Sequence, residues 1–384
     1  MSEPRISFLI HGLVVGGAEK FFISLVNDLY RSGQNPFVIL LSDDNALFHE
    51  MDPGVESIII KRKYKYDLFV GARIKSALKE RNVDKVFCVG MFSFFLMKLF
   101  FISEKRIKFI LSLHATIPKS AGDYLANLVY FRLFAKRDKA IFICNAQQEY
   151  LRKKYLFSPK DSMIIYNGIN TAWFSGCYSS IESGIDRYQL RKNYNLSETD
   201  KVIVKVARLF PEKGHTYAID ALEILHKKFN CKAHILFVGS GDDKYEEKIR
   251  LYTQQKKLAE YIHFIEHQAD VRPFHCMSDL FTLTSYTTET FSLAALEAMS
   301  SGIPCSLTNI GGAAEMINEK TGLLSESKNP HSIASSWFAI LQKKYDPVFL
   351  HRYVESNFSL PEMLEQYRKI LLPAKQKSRE LQPQ

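Results

Sequence analysis

The chain has 384 residues, of which 46% are hydrophobic and 24% are charged, a balance typical of a globular protein rather than a disordered one. A length of this order predicts about two domains, each large enough to have its own hydrophobic core. The sequence contains no run of 18 or more apolar residues, and its first apolar run is short. We therefore expect neither a membrane-spanning helix nor a signal peptide.

The net charge of +10 is unevenly distributed along the chain. Residues 1–168 contain 25 Lys and Arg against 16 Asp and Glu, whereas the remaining residues contain 26 against 25. This basic excess predicts an anionic partner for the first half, either nucleic acid or an anionic membrane. Because no nucleic-acid-binding module is recognisable, we favour the membrane.

Apolar, strand-like segments alternate with amphipathic helical segments through the first half. This alternation predicts a parallel sheet that is covered on both faces. Ligands of such sheets bind beyond the carboxyl ends of the strands. The predicted strands are 5–11, 37–41, 57–60, 85–89, 109–113, 140–144 and 163–166.

Two of these strand ends carry candidate site residues. Gly16 and Gly17 follow the first strand and precede a helix, so a ligand can approach the backbone and the helix N-terminus there. The third glycine of a dinucleotide fingerprint is absent, and a tight structural turn explains the pair equally well. His114 follows the fifth strand, although a lone histidine is more often structural than functional.

Two segments of the first half are candidates for a membrane-facing surface. The segment 91–102 is almost wholly apolar, and the segment 61–65 is basic. A buried helix on the flank of the sheet and a solvated loop are the alternative interpretations. Together with the charge of this half, the segments predict a peripheral membrane face, on which apolar side chains insert beside lysines.

The second half begins a new alternation, with a strand at 201–207 and a helix at 216–226. Arg208 and Lys213 flank the turn between them, where both side chains can bind one phosphate group. A basic surface loop is the alternative. Gly239 and Gly241 follow the next strand and allow another close approach to a ligand.

The segment 285–305, SYTTETFSLAALEAMSSGIPC, follows a further predicted strand. Glu289 lies in its polar turn, and Glu297 lies about two turns into a helix of strong helix formers. The N–H groups at the helix start have no acceptor within the helix, so they predict a site for an anionic or hydroxyl-rich ligand. Two solvated surface glutamates are the alternative.

This segment resembles the Glu-x7-Glu motif of retaining GT-B-fold glycosyltransferases of the family-4 type, including the Glu-Ala-Met and Gly-x-Pro that follow. Other motifs of that family occur in the same order: Gly-Gly-Ala-Glu from Gly16, Asn-Gly-Ile-Asn at 167–170, and Arg-Leu-x-x-x-Lys-Gly from Arg208. The resemblance covers most of the chain and is strongest from Tyr166 to Leu324. Thr290 stands where the family usually has glycine.

The resemblance implies a role for each matching residue. Glu289 would position the donor sugar, Glu297 would bind the ribose, and Arg208 and Lys213 would hold the diphosphate. His114 would contact the sugar near its primary hydroxyl, which completes the predicted catalytic set of Glu289, Arg208, Lys213 and His114. The other predicted nucleotide-sugar contacts are Gly16, Gly17, Gly239, Gly241, Phe291, Ser292 and Leu293.

The resemblance implies a fold of the α/β class, GT-B, with two doubly wound Rossmann-like domains that face a central cleft. We expect a basic acceptor-binding domain at 1–168 and a nucleotide-sugar-binding domain at 169–355. The final segment, 356–384, is expected to return as a helix to the first domain and to end in a tail.

The predicted activity is retaining transfer of a hexose or N-acetylhexosamine from a nucleotide-sugar, with UDP favoured as the nucleotide. The predicted acceptor is a lipid-linked glycan, lipopolysaccharide or another surface polysaccharide. Two alternatives are a UDP-N-acetylhexosamine 2-epimerase of the same fold and a non-catalytic subunit that binds a nucleotide or a partner. The four charged motif residues are all present, which argues against the second alternative.

No cofactor is predicted beyond the nucleotide-sugar substrate, and no metal, because no Asp-x-Asp motif lies in a suitable place. Arg208 and Lys213 would supply the positive charge that a metal supplies elsewhere. The expected partners are the donor, a glycan or glycolipid acceptor and an anionic membrane surface, without nucleic acid. The expected location is the cytoplasm, peripherally at the inner face of the cell membrane.

Overall fold

The computed structural model describes residues 5–64, 67–101, 104, 106–114, 117, 120–175, 186–287 and 289–372. Within these residues the chain forms two parallel β-sheets with helices on both faces. The predicted α/β class with two doubly wound sheets is confirmed. The predicted tail falls largely outside the described residues.

The first sheet has seven strands in the order β3-β2-β1-β4-β5-β6-β7. Its inner strands are mostly apolar because both faces of the sheet are covered there, whereas the edge strands β3 and β7 are only partly buried. The strands are β1 (Ile6–Ile10), β2 (Phe37–Leu40), β3 (Glu56–Ile59), β4 (Lys85–Val89), β5 (Lys108–Leu113), β6 (Lys139–Phe142) and β7 (Ser162–Ile164). The helices are α1 (Gly17–Arg31), α2 (Val70–Glu80), α3 (Met91–Phe100), α4 (Ala121–Arg132) and α5 (Asn145–Tyr155).

The second sheet has six strands in the order β10-β9-β8-β11-β12-β13. Its strands are β8 (Lys201–Val206), β9 (Ala233–Val238), β10 (Ile262–Ile265), β11 (Leu280–Leu283), β12 (Cys305–Thr308) and β13 (Gly322–Ser325). The helices of this half are α6 (Thr171–Phe174), α7 (Arg187–Asn193), α8 (His215–Phe229), α9 (Asp243–Gln255), α10 (Arg272–Met277), α11 (Leu293–Ser300), α12 (Ala313–Met316), α13 (Pro330–Gln342), α14 (Pro347–Phe358) and α15 (Leu360–Leu371).

The chain passes between the two sheets twice, and the two passages lie side by side. Ile169 forms a parallel bridge with Ser359, and its amide donates to the Phe358 carbonyl oxygen at 3.0 Å. Gly168 is required at this crossing, because a Cβ there would lie 2.4 Å from the Ser359 carbonyl oxygen. The paired passages therefore connect the two halves.

After the second passage, α15 packs on the first half of the molecule. Tyr367 is fully buried, and its ring centroid lies 5.0 Å from that of Phe21 in α1 and 5.9 Å from that of Phe87 in β4. Arg368 forms an ion pair with Asp28 at 2.8 Å. The last helix therefore completes the hydrophobic core of the first sheet.

The predicted membrane face of segment 91–102 is wrong in its described residues. Phe94, Leu96 and Met97 of α3 are fully buried in the core of the first sheet. Lys98 is also buried and forms an ion pair with Asp138 at 2.7 Å. The apolar composition of α3 therefore reflects packing between β5 and α4 rather than contact with lipid. No helix in the described ranges combines the length and apolarity that crossing a bilayer requires.

Candidate active site

The strand order of the second sheet reverses direction between β8 and β11, and this switch point creates a crevice at the carboxyl ends of the two strands. The loop after β8 carries Arg208 and Lys213, and the loop after β11 carries Glu289. Three residues that are distant in sequence are therefore brought to one edge of the sheet.

Lys213 and Glu289 form an ion pair across the switch point, with 2.8 Å between Nζ and Oε2. Both side chains are largely buried, with exposed fractions of 16% and 17%. Ser285 donates a second hydrogen bond to the same carboxylate oxygen at 3.1 Å. The pair is thus held in one orientation by the β11 loop.

Gly214 allows the two loops to come this close. Its φ of +68° lies in the left-handed region, and a Cβ at this position would lie 2.0 Å from the Thr284 carbonyl oxygen. The Thr284 hydroxyl donates to the Gly214 carbonyl oxygen at 2.7 Å. The glycine after Lys213 is therefore needed to seat the lysine beside Glu289.

Arg208 is exposed and forms no salt bridge within the described part of the chain. Its guanidinium carbon lies 5.2 Å from the ring centroid of Phe210. Gly239 and Gly241 pack closely against the backbone of this loop, since a Cβ on either would lie within 2.3 Å of a carbonyl oxygen of residue 207 or 209. The structure thus gives these two glycines a packing role beside Arg208, and the predicted direct contact with the ligand stays a prediction.

Ser292 caps α11, since its hydroxyl accepts a hydrogen bond from the Ala295 amide at 3.3 Å. Phe291 is buried and stacks on Tyr166, with 5.2 Å between the ring centroids. The side chains of these two predicted contacts therefore have structural partners. Their backbone amides remain candidates for ligand binding at the helix start.

The helix α1 of the first half lies against this helix start. A Cβ on Gly17 would lie 3.3 Å from Cδ1 of Leu293, so a larger residue there would press on α11. Gly16 has an extended backbone, and the Glu19 carboxylate folds back over it. The predicted glycine turn thus brings α1 close to the second sheet at the cleft.

Charges of α1 face charges of the second half across the cleft. Burial raises the pKa of Glu297, and the positive charge of Lys20 opposes that shift. Burial likewise raises the pKa of Glu19, whereas its own backbone amide and the charge of Arg208 lower it. Adjacent residues of the first turn of α1 therefore interact with Arg208 and Glu297.

His114 lies at the end of β5 on the other side of the cleft. Its Nε2 is 2.9 Å from the Ser112 hydroxyl, and its ring centroid lies 4.4 Å from that of Phe21. Burial lowers its pKa to about 3, so the ring is neutral at pH 7. Nδ1 is buried and has no hydrogen-bond partner among the described residues.

Two family profiles match almost the whole of this architecture. The profile described as Glycosyltransferase Family 4 matches residues 15–173, and the one described as Glycosyl transferases group 1 matches residues 186–353. The chain belongs to the group 1, family-4-type glycosyltransferases. It is an enzyme that takes its sugar from a nucleotide-sugar donor.

Two sequence relatives and one solved structure illustrate these similarities. An N-acetyl-alpha-D-glucosaminyl L-malate synthase from Bacillus anthracis is 25% identical over 315 residues, which cover 80% of this chain and 77% of the relative. A UDP-Gal:alpha-D-GlcNAc-diphosphoundecaprenol alpha-1,3-galactosyltransferase from Escherichia coli is 27% identical and matches 61% of this chain and 60% of its own. The structure of HepE from Anabaena in complex with UDP-glucose superposes with a TM-score of 0.78 at 20% identity, and it covers 96% of this chain and 99% of that one.

The glycosyltransferase has a buried lysine, Lys205, near the candidate site, and this residue was not predicted from the sequence. Lys205 in β8 is fully buried and has no hydrogen-bond partner within the described ranges. Burial and, to a smaller extent, the charge of Lys213 lower its pKa to about 7, against the opposing charge of Glu289. The sequence did contain a signal for this residue, namely a lysine at a core-facing position of a strand in a sheet that is covered on both faces.

His215, the first residue of α8, lies in the same buried region of the glycosyltransferase. Both ring nitrogens lack hydrogen-bond partners in the part of the chain described here. Burial lowers its pKa well below the ordinary value, and the charges of Lys205 and Lys213 act in the same direction. Two buried titratable side chains, Lys205 and His215, therefore lie close to Lys213 of the ion pair.

Proposed function

We propose that this glycosyltransferase transfers a hexose or N-acetylhexosamine from a UDP-linked donor, with retention of the anomeric configuration, to a lipid-linked glycan, lipopolysaccharide or another surface polysaccharide. The observation that carries the proposal is the Lys213–Glu289 pair at the switch point, where Arg208 also lies. The UDP-glucose complex of HepE and the acceptor in the name of the Escherichia coli relative support the donor and acceptor classes.

The leaving diphosphate would develop negative charge between Arg208 and Lys213. A guanidinium binds two phosphate oxygens at once, and an ammonium adds a point charge. In this proposal the two cations stabilise the leaving group without a metal ion. Glu289 would bind the sugar hydroxyls, and a leaving phosphate oxygen would take the proton of the acceptor, so no separate base is needed.

The contact between α1 and α11 supports closure of the cleft around the donor. With Gly17 against Leu293, the first half covers the helix start at which the nucleotide would bind. Closure would exclude water, which strengthens the electrostatic interactions and suppresses hydrolysis of the donor. His114 would then face the sugar from the first half as a neutral hydrogen-bonding group.

We also propose that the first half binds an anionic membrane, through a surface other than α3. The large apolar side chains exposed in this half include Phe69, Leu125 and Val129, with exposed fractions of 80%, 62% and 55%. Leu125 and Val129 are four residues apart on α4 and therefore share one face. With the basic excess of this half, they fit insertion beside anionic headgroups.

A panel of donors tests the donor assignment. We expect UDP and UDP-hexoses to raise the melting temperature of the protein more than GDP- or ADP-sugars at equal concentration, because binding stabilises the folded state. EDTA should leave transfer unchanged. A preference for GDP or ADP would overturn the choice of UDP, and activity that magnesium restores after EDTA would overturn metal independence.

Liposome flotation tests the membrane surface. Binding should be stronger to anionic than to neutral vesicles and should fall with added salt. The double variant Leu125→Ser/Val129→Ser should bind more weakly, whereas the matched change Leu251→Ser, an exposed leucine in the second half, should not. Equal binding to both vesicle types would remove the membrane from the proposal.

A further inference from the structure

Glu315 joins the two halves of the molecule through four hydrogen bonds. Its carboxylate, on α12 of the second half, accepts from the backbone amides of Asn145 and Ala146 at 2.8 Å each. It also accepts from the Asn145 side-chain amide at 2.7 Å and from the Tyr166 hydroxyl at 3.0 Å. All of these donors belong to the first half or to the passage that leaves it.

The contact suits a carboxylate for a physical reason. Asn145 and Ala146 are the first residues of α5, where amides have no acceptor within the helix and the helix dipole favours negative charge. Tyr166 adds a hydrogen bond to the charged group, and burial together with this bond raises the pKa of Tyr166 to about 12. The glutamate therefore fixes the position of α5 relative to α12.

The same short helix, α12, and the glycines before it also contact the backbone around Glu289. The amide of Gly312, just before α12, donates to the Thr290 carbonyl oxygen at 2.7 Å. A Cβ on Gly311 would lie 1.8 Å from the Glu289 carbonyl oxygen, and a Cβ on Gly312 would lie 3.0 Å from Cβ of Cys144 in the first half. The loop that carries Glu289 is thus pressed between α12 and the residue before α5.

We propose that Glu315 is a positioning residue that couples the seating of α5 on the second half to the placement of Glu289 in the sugar site. When α5 docks on Glu315, α12 holds the Thr290 carbonyl and sets the Glu289 loop. When the contact between α5 and Glu315 is lost, the Glu289 loop is no longer held in place, even though Lys213, the ion-pair partner of Glu289, is unchanged. The catalytic role of Glu289 rests on the proposed function, whereas the coupling between the α5 contact and the Glu289 loop does not.

Hydrogen exchange followed by mass spectrometry tests the coupling without any substrate. In Glu315→Ala we expect at least tenfold faster exchange both in the segment 145–147, where the amides of Asn145 and Ala146 lose their acceptor, and at 286–293 together with Gly312. Glu315→Gln keeps one acceptor oxygen and should show an intermediate rate in both segments. Glu319→Ala removes a nearby exposed carboxylate and should leave both segments within twofold of the wild type.

Faster exchange at 145–147 alone, with 286–293 unchanged, would show that Glu315 only caps α5 and would overturn the proposal. If Glu315→Ala does not fold, the Glu315→Gln variant decides by the same criterion. A change that spreads over all strands of the second sheet would indicate general destabilisation and would also overturn it.

Kinetics separate this role from a purely structural one. We expect Glu315→Ala to lower kcat about tenfold and to raise the ratio of donor hydrolysis to transfer, with UDP affinity within twofold of the wild type. Partial rescue by Glu315→Gln should accompany its intermediate exchange rate. Absence of transfer in the wild type with every donor would refute the proposed function and leave the exchange result to decide the coupling.

Discussion

The charged residues of the candidate site form two groups, which differ in the half of the molecule that supplies their partners. Lys213 and Glu289 pair within the second half, through loops that the sheet and Gly214 already fix. Arg208 and Glu297 instead interact electrostatically with Glu19 and Lys20 of α1, since the charge of Arg208 lowers the pKa of Glu19 and the charge of Lys20 lowers that of Glu297. The side chains of the first group therefore belong to one half of the molecule, whereas the second group also requires α1 at the cleft.

The largest expected effect comes from breaking the pair that lies within the second half. Lys213→Met and Glu289→Ala should each lower kcat about 10²–10³-fold, because each removes a preorganised charge from the transition state. Initial rates with saturating donor measure this effect. Near wild-type turnover in either variant, with unchanged melting behaviour, would refute the assignment of the pair.

A second prediction concerns the lysine beneath that pair. The pKa of Lys205 is about 7 in the folded chain against 10.5 when exposed, so between these values the unfolded chain binds more protons. Stability should therefore rise with pH across this window and be lowest below it. Lys205→Met should stabilise the protein near pH 7, by on the order of 3 kcal/mol, and remove this slope.

Urea unfolding between pH 6 and 10 measures the slope. Lys201→Met, at the start of the same strand, serves as the matched control and should keep the pH dependence of the wild type. Parallel curves for wild type and Lys205→Met would mean that the amine is solvated in solution and would contradict its burial.

The group that also requires α1 gives the third prediction. Glu297→Gln should weaken UDP binding roughly 10–100-fold, the range for loss of a hydrogen bond to a charged acceptor. It should lower kcat much less than the Lys213 change does. Calorimetric titration with UDP measures this effect, and unchanged affinity would remove Glu297 from the nucleotide site.

The smallest expected effect is that of His114. Its ring is neutral because burial lowers its pKa to about 3, so it can offer only a neutral hydrogen bond. His114→Asn should lower kcat/KM about tenfold or less, without changing the shape of the pH profile between pH 5 and 8. A lost ionisation near pH 6 in the variant would show that the histidine titrates in the active enzyme.

The sequence was sufficient to predict the two sheets, because the strands of a covered parallel sheet are apolar over their whole length. It also placed Glu289, Arg208 and Lys213 on strand-end turns. It misplaced the membrane face, since the apolarity of α3 is the same whether a helix meets lipid or protein core. The contacts of Glu315 could not be predicted, because its partners lie 149 to 170 positions away.

The packing of α15 on the first sheet has a consequence for biosynthesis. Phe21 and Phe87 are covered by Tyr367, which is synthesised long after both of them. Until α15 has been synthesised, the surface of the first half that Tyr367 covers is therefore exposed to solvent and to chaperones. Premature termination before α15 would leave that surface permanently uncovered, so truncated products should be prone to aggregation even where both sheets are present.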